Sequence, residues 1–317
     1  MSGSTEATTL RKISTALFFA CSSVLIVVIN KVILTTFKFP SFQVLGIGQM
    51  IASILVLLCG KGMNIISFPT LQRDTFQKIF PLPLIYFLNL TFGLGSTKTL
   101  NLPMFTVLRR FSILMTMIAE YLILKKVASC RVQTTVYVMI FGSIVAASSD
   151  LAFDATGYTM IMINNLMTAV NGVYTKKKLN SNELGKYGIL FYNCFYLVVP
   201  AICLASYTGD IEKAYQFKDW NNYLFLGQFL MSCFMGFVLN YSIVLCNEAN
   251  SPLTTTIVGC LKNILVTYVG MLVGGDYVFS WTNFVGLNIS IVGSIVYSYI
   301  AFTEKQVHKP PPSVSKI

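Results

Sequence analysis

The chain is poor in charge. Of 317 residues only 11% are charged while 55% are hydrophobic, and the mean hydropathy is +0.68. A soluble chain needs about 25% charged residues to cover its surface, so a bilayer is the solvent for most of this one. Histidine is almost absent: the single one, His308, lies in a polar tail, which argues against a zinc enzyme. The eight cysteines form no CxxC and most sit in apolar runs, which argues against a disulfide scaffold. No paired carboxylates or DxD string mark a catalytic or metal centre; Asp150 and Asp154 read as solvated loop residues. No cofactor, metal or nucleic acid is expected, and no enzymatic activity.

What is present is apolar sequence in lengths of about 20 residues, enough for a membrane helix. Ten such runs are counted, at 14–34, 42–59, 80–100, 103–124, 133–149, 158–174, 188–207, 223–246, 252–274 and 281–302. The polar start does not resemble a cleavable signal peptide. Lys and Arg fall overwhelmingly on one side of the connections: fifteen, against Lys38, Lys213 and Lys218 on the other. The positive-inside rule then puts both termini in the cytosol, which requires an even number of spans.

Two echoes align the halves. Pro103-Met104-Phe105-Thr106 and Pro252-Leu253-Thr254-Thr255 open the fourth and ninth runs, 149 residues apart; Gly142-Ser143-Ile144-Val145 and Gly293-Ser294-Ile295-Val296 lie 151 apart. A duplicated five-span unit places its second copy upside down in the bilayer, the inverted repeat of alternating-access transporters. The expected fold is an all-α membrane protein of ten helices: a tail (1–13), two five-helix repeats (14–150 and 151–303) and a second tail (304–317).

Five basic residues remain inside the runs or at their ends: Lys31, Lys98, Arg109, Arg110 and Lys262, with Glu120 as the one acid among them. A cation at mid-bilayer costs about 2.5–3.5 kcal/mol on insertion scales, so a surplus of them looks like half of a site for an anion. On an ideal helix Arg109, Thr116 and Glu120 share a face, as do Asn164, Thr168, Asn171 and Thr175 in the sixth run, and Thr255, Gly259, Lys262 and Val266 in the ninth. Arg109 and Lys262 are the best anion ligands. Lys98 and Lys31 lie near run ends, where snorkelling is an alternative, and Arg110 could equally brace the fold. Glu120 reads as a group that orients a basic residue or gates, ahead of a proton carrier.

Ten runs, the repeat and a cationic cavity resemble the drug/metabolite transporter superfamily, in particular its nucleotide-sugar branch. The strings Leu102-Pro103-Met104-Phe105-Thr106-Val107-Leu108-Arg109-Arg110-Phe111, Glu183-Leu184-Gly185-Lys186-Tyr187-Gly188 and Thr254-Thr255-Thr256-Ile257-Val258-Gly259-Cys260-Leu261-Lys262-Asn263 look like the UDP-glucuronic acid/UDP-N-acetylgalactosamine transporters and their UDP-N-acetylglucosamine-handling relatives. The resemblance implies entry of cytosolic UDP-sugars into the Golgi or endoplasmic reticulum lumen, in exchange for the UMP left by glycosylation. It implies diphosphate contacts from Lys262, Arg109, Arg110 and Lys98. GDP-mannose transporters of the superfamily read the base with an FYNN string, matched here by Phe191-Tyr192-Asn193-Cys194. Base contact therefore carries over to Tyr192 and Asn193, with Asn240 and Tyr241 completing that site; on residue type alone Phe191-Tyr192-Asn193 also reads as an interfacial anchor. Cys194 departs from the guanine pattern and fits a pyrimidine. The family's GALNK string, near sugar and diphosphate, is matched by Gly259, Cys260, Lys262 and Asn263 with Lys and Asn exchanged; Asn164 resembles a sugar-contacting Asn. A homodimer is left open. Two rivals remain: a proton-coupled organic-phosphate transporter of the same fold, and an integral membrane UDP-sugar transferase, which would need the carboxylates the chain lacks.

Overall fold

The computed structural model describes residues 2–99, 105, 107–147, 154–261 and 281–303, except the side chains of 2–8, 31, 35, 90, 94–99, 147, 283, 287 and 301–303. Every element among them is helical. That follows from the solvent: a bilayer offers no partner for a backbone N–H or C=O, and a helix satisfies them within one segment. The helices are α1 (Ser2–Lys31, continued by a π-turn at Val32–Thr36), α2 (Phe42–Gly62), α3 (Thr75–Ile79), α4 (Leu82–Thr99), α5 (Phe111–Leu124) and α6 (Cys130–Ala147). The second half holds α7 (Ala155–Ser181), α8 (Gly185–Tyr207), α9 (Asp210–Tyr215), α10 (Tyr223–Ala249), α11 (Pro252–Leu261) and α12 (Trp281–Thr303). Each of the ten apolar runs overlaps one of these helices. Four are long and apolar enough to cross a bilayer on their own: the helices covering Thr9–Leu34, Phe42–Gly62, Gly185–Tyr207 and Tyr223–Ala249. The polar residues before the first run continue α1 as helix.

The starts are set by short polar side chains. Ser41 Oγ accepts from Val44 N (3.1 Å), the Asp154 carboxylate from Thr156 N (3.2 Å) and Gly157 N (3.0 Å), and Asn222 Oδ1 from Leu224 N (3.0 Å), each satisfying amides that the first turn leaves without an intrahelical acceptor. Pro252 opens α11, where its missing N–H costs nothing. In the connection between α2 and α4, Lys78 donates to Asp74 at 2.9 Å and holds that carboxyl below the ordinary carboxylate range.

α4 packs along α7, α1 along α10, α5 along α7, and α2 against both α8 and α10. α6 and α12 form the tightest pair. A methyl on Gly142 would lie 2.6 Å from Gly286 O and 2.8 Å from Ser290 N; one on Gly293 would lie 2.8 Å from Met139 Cγ and 3.3 Å from Thr135 O. Thr135 and Met139 precede Gly286 and Ser290 by 151 positions, the same spacing that separates Gly142 from Gly293. The two helices thus meet through equivalent positions of the two echoed strings.

The expectation of one continuous helix from 103 to 124 needs correction. The amides of Arg110, Ser112 and Ile113 reach back three residues instead of four (3.2, 3.2 and 2.9 Å), so Arg109-Arg110 form a tighter turn before α5. About 120° per residue in such a turn, against 100° in an α-helix, carries Arg109 off the face shared by Thr116 and Glu120.

Candidate functional site

Arg109 projects from that turn towards α7. Its Nη1 donates to Asn164 Oδ1 at 2.8 Å, and its Cζ lies 5.7 Å from the Phe105 ring centroid. Cys260, at the end of described α11, is within electrostatic reach. Among the described residues no carboxylate pairs with Arg109. Arg109 stays partly accessible; the adjacent Arg110 is 2% exposed.

A network of neutral amides sits behind the guanidinium. Asn164 Nδ2 donates to Asn89 O and to Asn89 Oδ1, both at 2.6 Å, and Thr168 Oγ1 donates to the same Oδ1 at 3.0 Å. Asn165 Nδ2 donates to Leu108 O at 2.8 Å and pins the tight turn to α7. Gly93, one turn beyond Asn89 on α4, opens the space: a methyl there would lie 2.8 Å from Asn164 Nδ2. Asn89 is not among the residues singled out from the sequence. An amide inside an apolar run was the signal.

The remaining expected residues divide. Lys262 and Asn263 lie outside the described residues, as do the side chains of Lys31 and Lys98. Asn164 is 2% exposed, with its amide oxygen accepting from Arg109 and its amide nitrogen donating to Asn89. A methyl on Gly259 would lie 3.8 Å from Phe19 Cζ, and Cys260 is buried among Ile113, Val136, Met139 and Tyr297. Tyr192 is 1% exposed, lies against Phe68 and Phe191, and donates its hydroxyl to Pro69 O at 2.6 Å. Asn193, its neighbour, keeps a buried Oδ1 without a hydrogen bond among the described residues. Asn240 is half-buried on α10, while Tyr241 stacks on Tyr187 with ring planes 8° apart.

Among the described residues no salt bridge joins Glu120 to a basic side chain, although Lys126 and Lys176 lie within its electrostatic reach. Glu120 Oε1 accepts from Leu253 N at 2.8 Å and the carboxylate also hydrogen-bonds Ser251, so it caps the start of α11. Nearby, Lys176 Nζ donates to the carbonyls of Asn247 (2.6 Å), Glu248 (2.8 Å) and Asn250 (2.9 Å), closing the end of α10. Asn250 Nδ2 reaches Lys12 O and Thr15 Oγ1 on α1, both at 3.1 Å, and Glu248 faces Arg11 (3.6 Å) and Lys186 (3.9 Å). The ends of α1, α5, α7, α8, α10 and α11 are thereby tied together at one end of the bundle. At its other end Phe39 packs with Phe217, Trp220, Phe225 and Phe229.

Comparison with known proteins agrees with a transporter. The model of the Triose-phosphate Transporter family matches residues 12–298. "UDP-sugar transporter UST74c" of Drosophila melanogaster is 55% identical over 93% of this chain and 79% of its own length. "UDP-sugar transporter sqv-7" of Caenorhabditis elegans is 54% identical over 96% and 94%, and "Nucleotide sugar transporter SLC35D2" of Homo sapiens 48% identical over 94% and 89%. One solved crystal structure, 11% identical, superposes with a TM-score of 0.61 over 93% of this chain and 98% of that one, a likeness of fold alone. With apolar helices throughout and a family match over nearly its whole length, this chain is a multi-pass membrane protein and belongs to the Triose-phosphate Transporter family, within the drug/metabolite transporter superfamily.

Proposed function

We propose that the protein carries UDP-sugars from the cytosol into the lumen of the Golgi or endoplasmic reticulum in exchange for UMP. It does so by alternating access of two inverted five-helix repeats with both termini cytosolic. The observation that carries this reading is Arg109: a guanidinium inside the bundle, held by neutral Asn164 and faced by no carboxylate among the described residues. Its charge is thus left for an anion, and charge-assisted bonds from Arg to phosphate are among the strong ones. Three relatives about half identical to the chain are UDP-sugar or nucleotide-sugar transporters by name, which supports the substrate class.

In the sequence Lys262 is three residues past Gly259 and two past Cys260, which is itself within reach of Arg109. Arg109 and Lys262 together bind the diphosphate in this reading, with Lys98 and Arg110 as further candidate ligands. Asn193 and Asn240 offer amides that can pair with an imide edge in both donor and acceptor senses. Strict exchange has a physical reason. Closing an empty cavity over unpaired cations would strip them of water, and a phosphate-bearing ligand offsets that cost.

Reconstitution into liposomes tests it. Uptake of labelled UDP-N-acetylglucosamine should rise several-fold when the vesicles are preloaded with UMP. Equal uptake into empty and loaded vesicles rejects exchange, and uptake driven by a pH gradient alone favours the proton-coupled rival.

A further inference from the structure

The amides behind Arg109 have a fixed polarity. Asn89 Oδ1 accepts from both Asn164 Nδ2 (2.6 Å) and Thr168 Oγ1 (3.0 Å). Turning the Asn89 amide over would set its NH2 against that of Asn164, donor against donor. Turning Asn164 over would set its NH2 against the Arg109 guanidinium, again donor against donor. The observed arrangement sets no donor against a donor among these contacts, and it presents Asn164 Oδ1 to Arg109. A carboxylate in place of Asn164 would anchor the guanidinium just as firmly but cancel its charge.

We propose that Asn89 is a positioning residue for phosphate binding. From α4 it locks the amide of Asn164, and through it the direction of the Arg109 guanidinium, without neutralising it. The inference rests on the reading of Arg109 as a phosphate ligand. Gly93 belongs to the same device, since a side chain there would push Asn164 away from α4 and from Arg109.

The test is a double-mutant cycle on the full chain in lipid nanodiscs, with UMP as the probe and calorimetric titration as the readout. Arg109→Ala should weaken UMP binding roughly a hundredfold, the scale of a lost charged hydrogen-bond pair, and Asn89→Ala about tenfold. The double variant should bind no worse than Arg109→Ala alone, because Asn89 has nothing left to position. A purely architectural role predicts losses that multiply. Melting temperature without nucleotide is recorded for each variant, and if Asn89→Ala does not fold, Gly93→Ala asks the same question in both backgrounds. Unchanged UMP affinity in Asn89→Ala, or losses that multiply in the double variant, overturns the positioning role alone. Unchanged affinity in Arg109→Ala overturns the phosphate reading and the positioning role with it.

Discussion

Lys176 and Glu120 hold the two sides of a single turn. The ammonium, on α7, gathers three carbonyls at the end of α10; the carboxylate, on α5, accepts the Leu253 amide at the start of α11. Each charge complements the helix end it meets, cation to the carbonyl end and anion to the amide end. Replacing Lys176 with Met leaves the carbonyls without that donor, and Glu120→Gln weakens the cap on α11. Each should destabilise the protein by about 1–3 kcal/mol. Thermal unfolding in detergent without ligand checks this; unchanged melting in both would show that the turn stands without them.

The residues proposed to read the base separate cleanly in the structure. Tyr192→Phe removes a hydroxyl already committed to Pro69 O and should change UMP affinity less than twofold, at a stability cost of about 1 kcal/mol. Asn193→Ala removes an amide whose oxygen has no partner among the described residues and should weaken UMP binding about tenfold. Titration of both variants with UMP decides between them; the reverse ranking would return the base site to Tyr192.

Lys262→Ala should abolish measurable binding of both UMP and UDP-N-acetylglucosamine while melting close to the parent. Retained affinity for both ligands would remove Lys262 from the site and leave Arg109 as its principal cation.

The seam between α6 and α12 predicts a contrast among glycines. Gly142→Ala would press a methyl to 2.6 Å from a backbone oxygen and should cost at least 2 kcal/mol on the scale of overpacking, about 1–3 kcal/mol. Gly46→Ala on α2 meets nothing within 4 Å and should be neutral or stabilising by up to about 1 kcal/mol, because Ala is the better helix former. Melting curves of the two single variants check the order.

Much of the architecture was legible because hydropathy and capping are local. Ser41, Asp154, Asn222 and Pro252 start helices for reasons visible within four residues of sequence. The turn at Arg109-Arg110 was not legible, since periodicity assumes a uniform helix and the turn is pinned by Asn165, over 50 residues away. The partner of Asn164 was hidden for the same reason: Asn89 is 75 positions distant. Tyr192 matched a known string, yet its burial comes from Phe68 and Pro69 in a connection that carries no hydropathy signal of its own. The surplus of cations over acids could be counted in the sequence; that neutral amides hold one of them could not.

The close approach at Gly142, Gly286 and Gly293 has a mechanical outcome. Where two main chains touch with no side chain between them, prising them apart would expose bare peptide to lipid, which cannot solvate it. In the proposed alternating access, α6 and α12 would therefore swing as one rigid spar. Whatever rearrangement turns the carrier from one face of its membrane to the other, this joint keeps its shape.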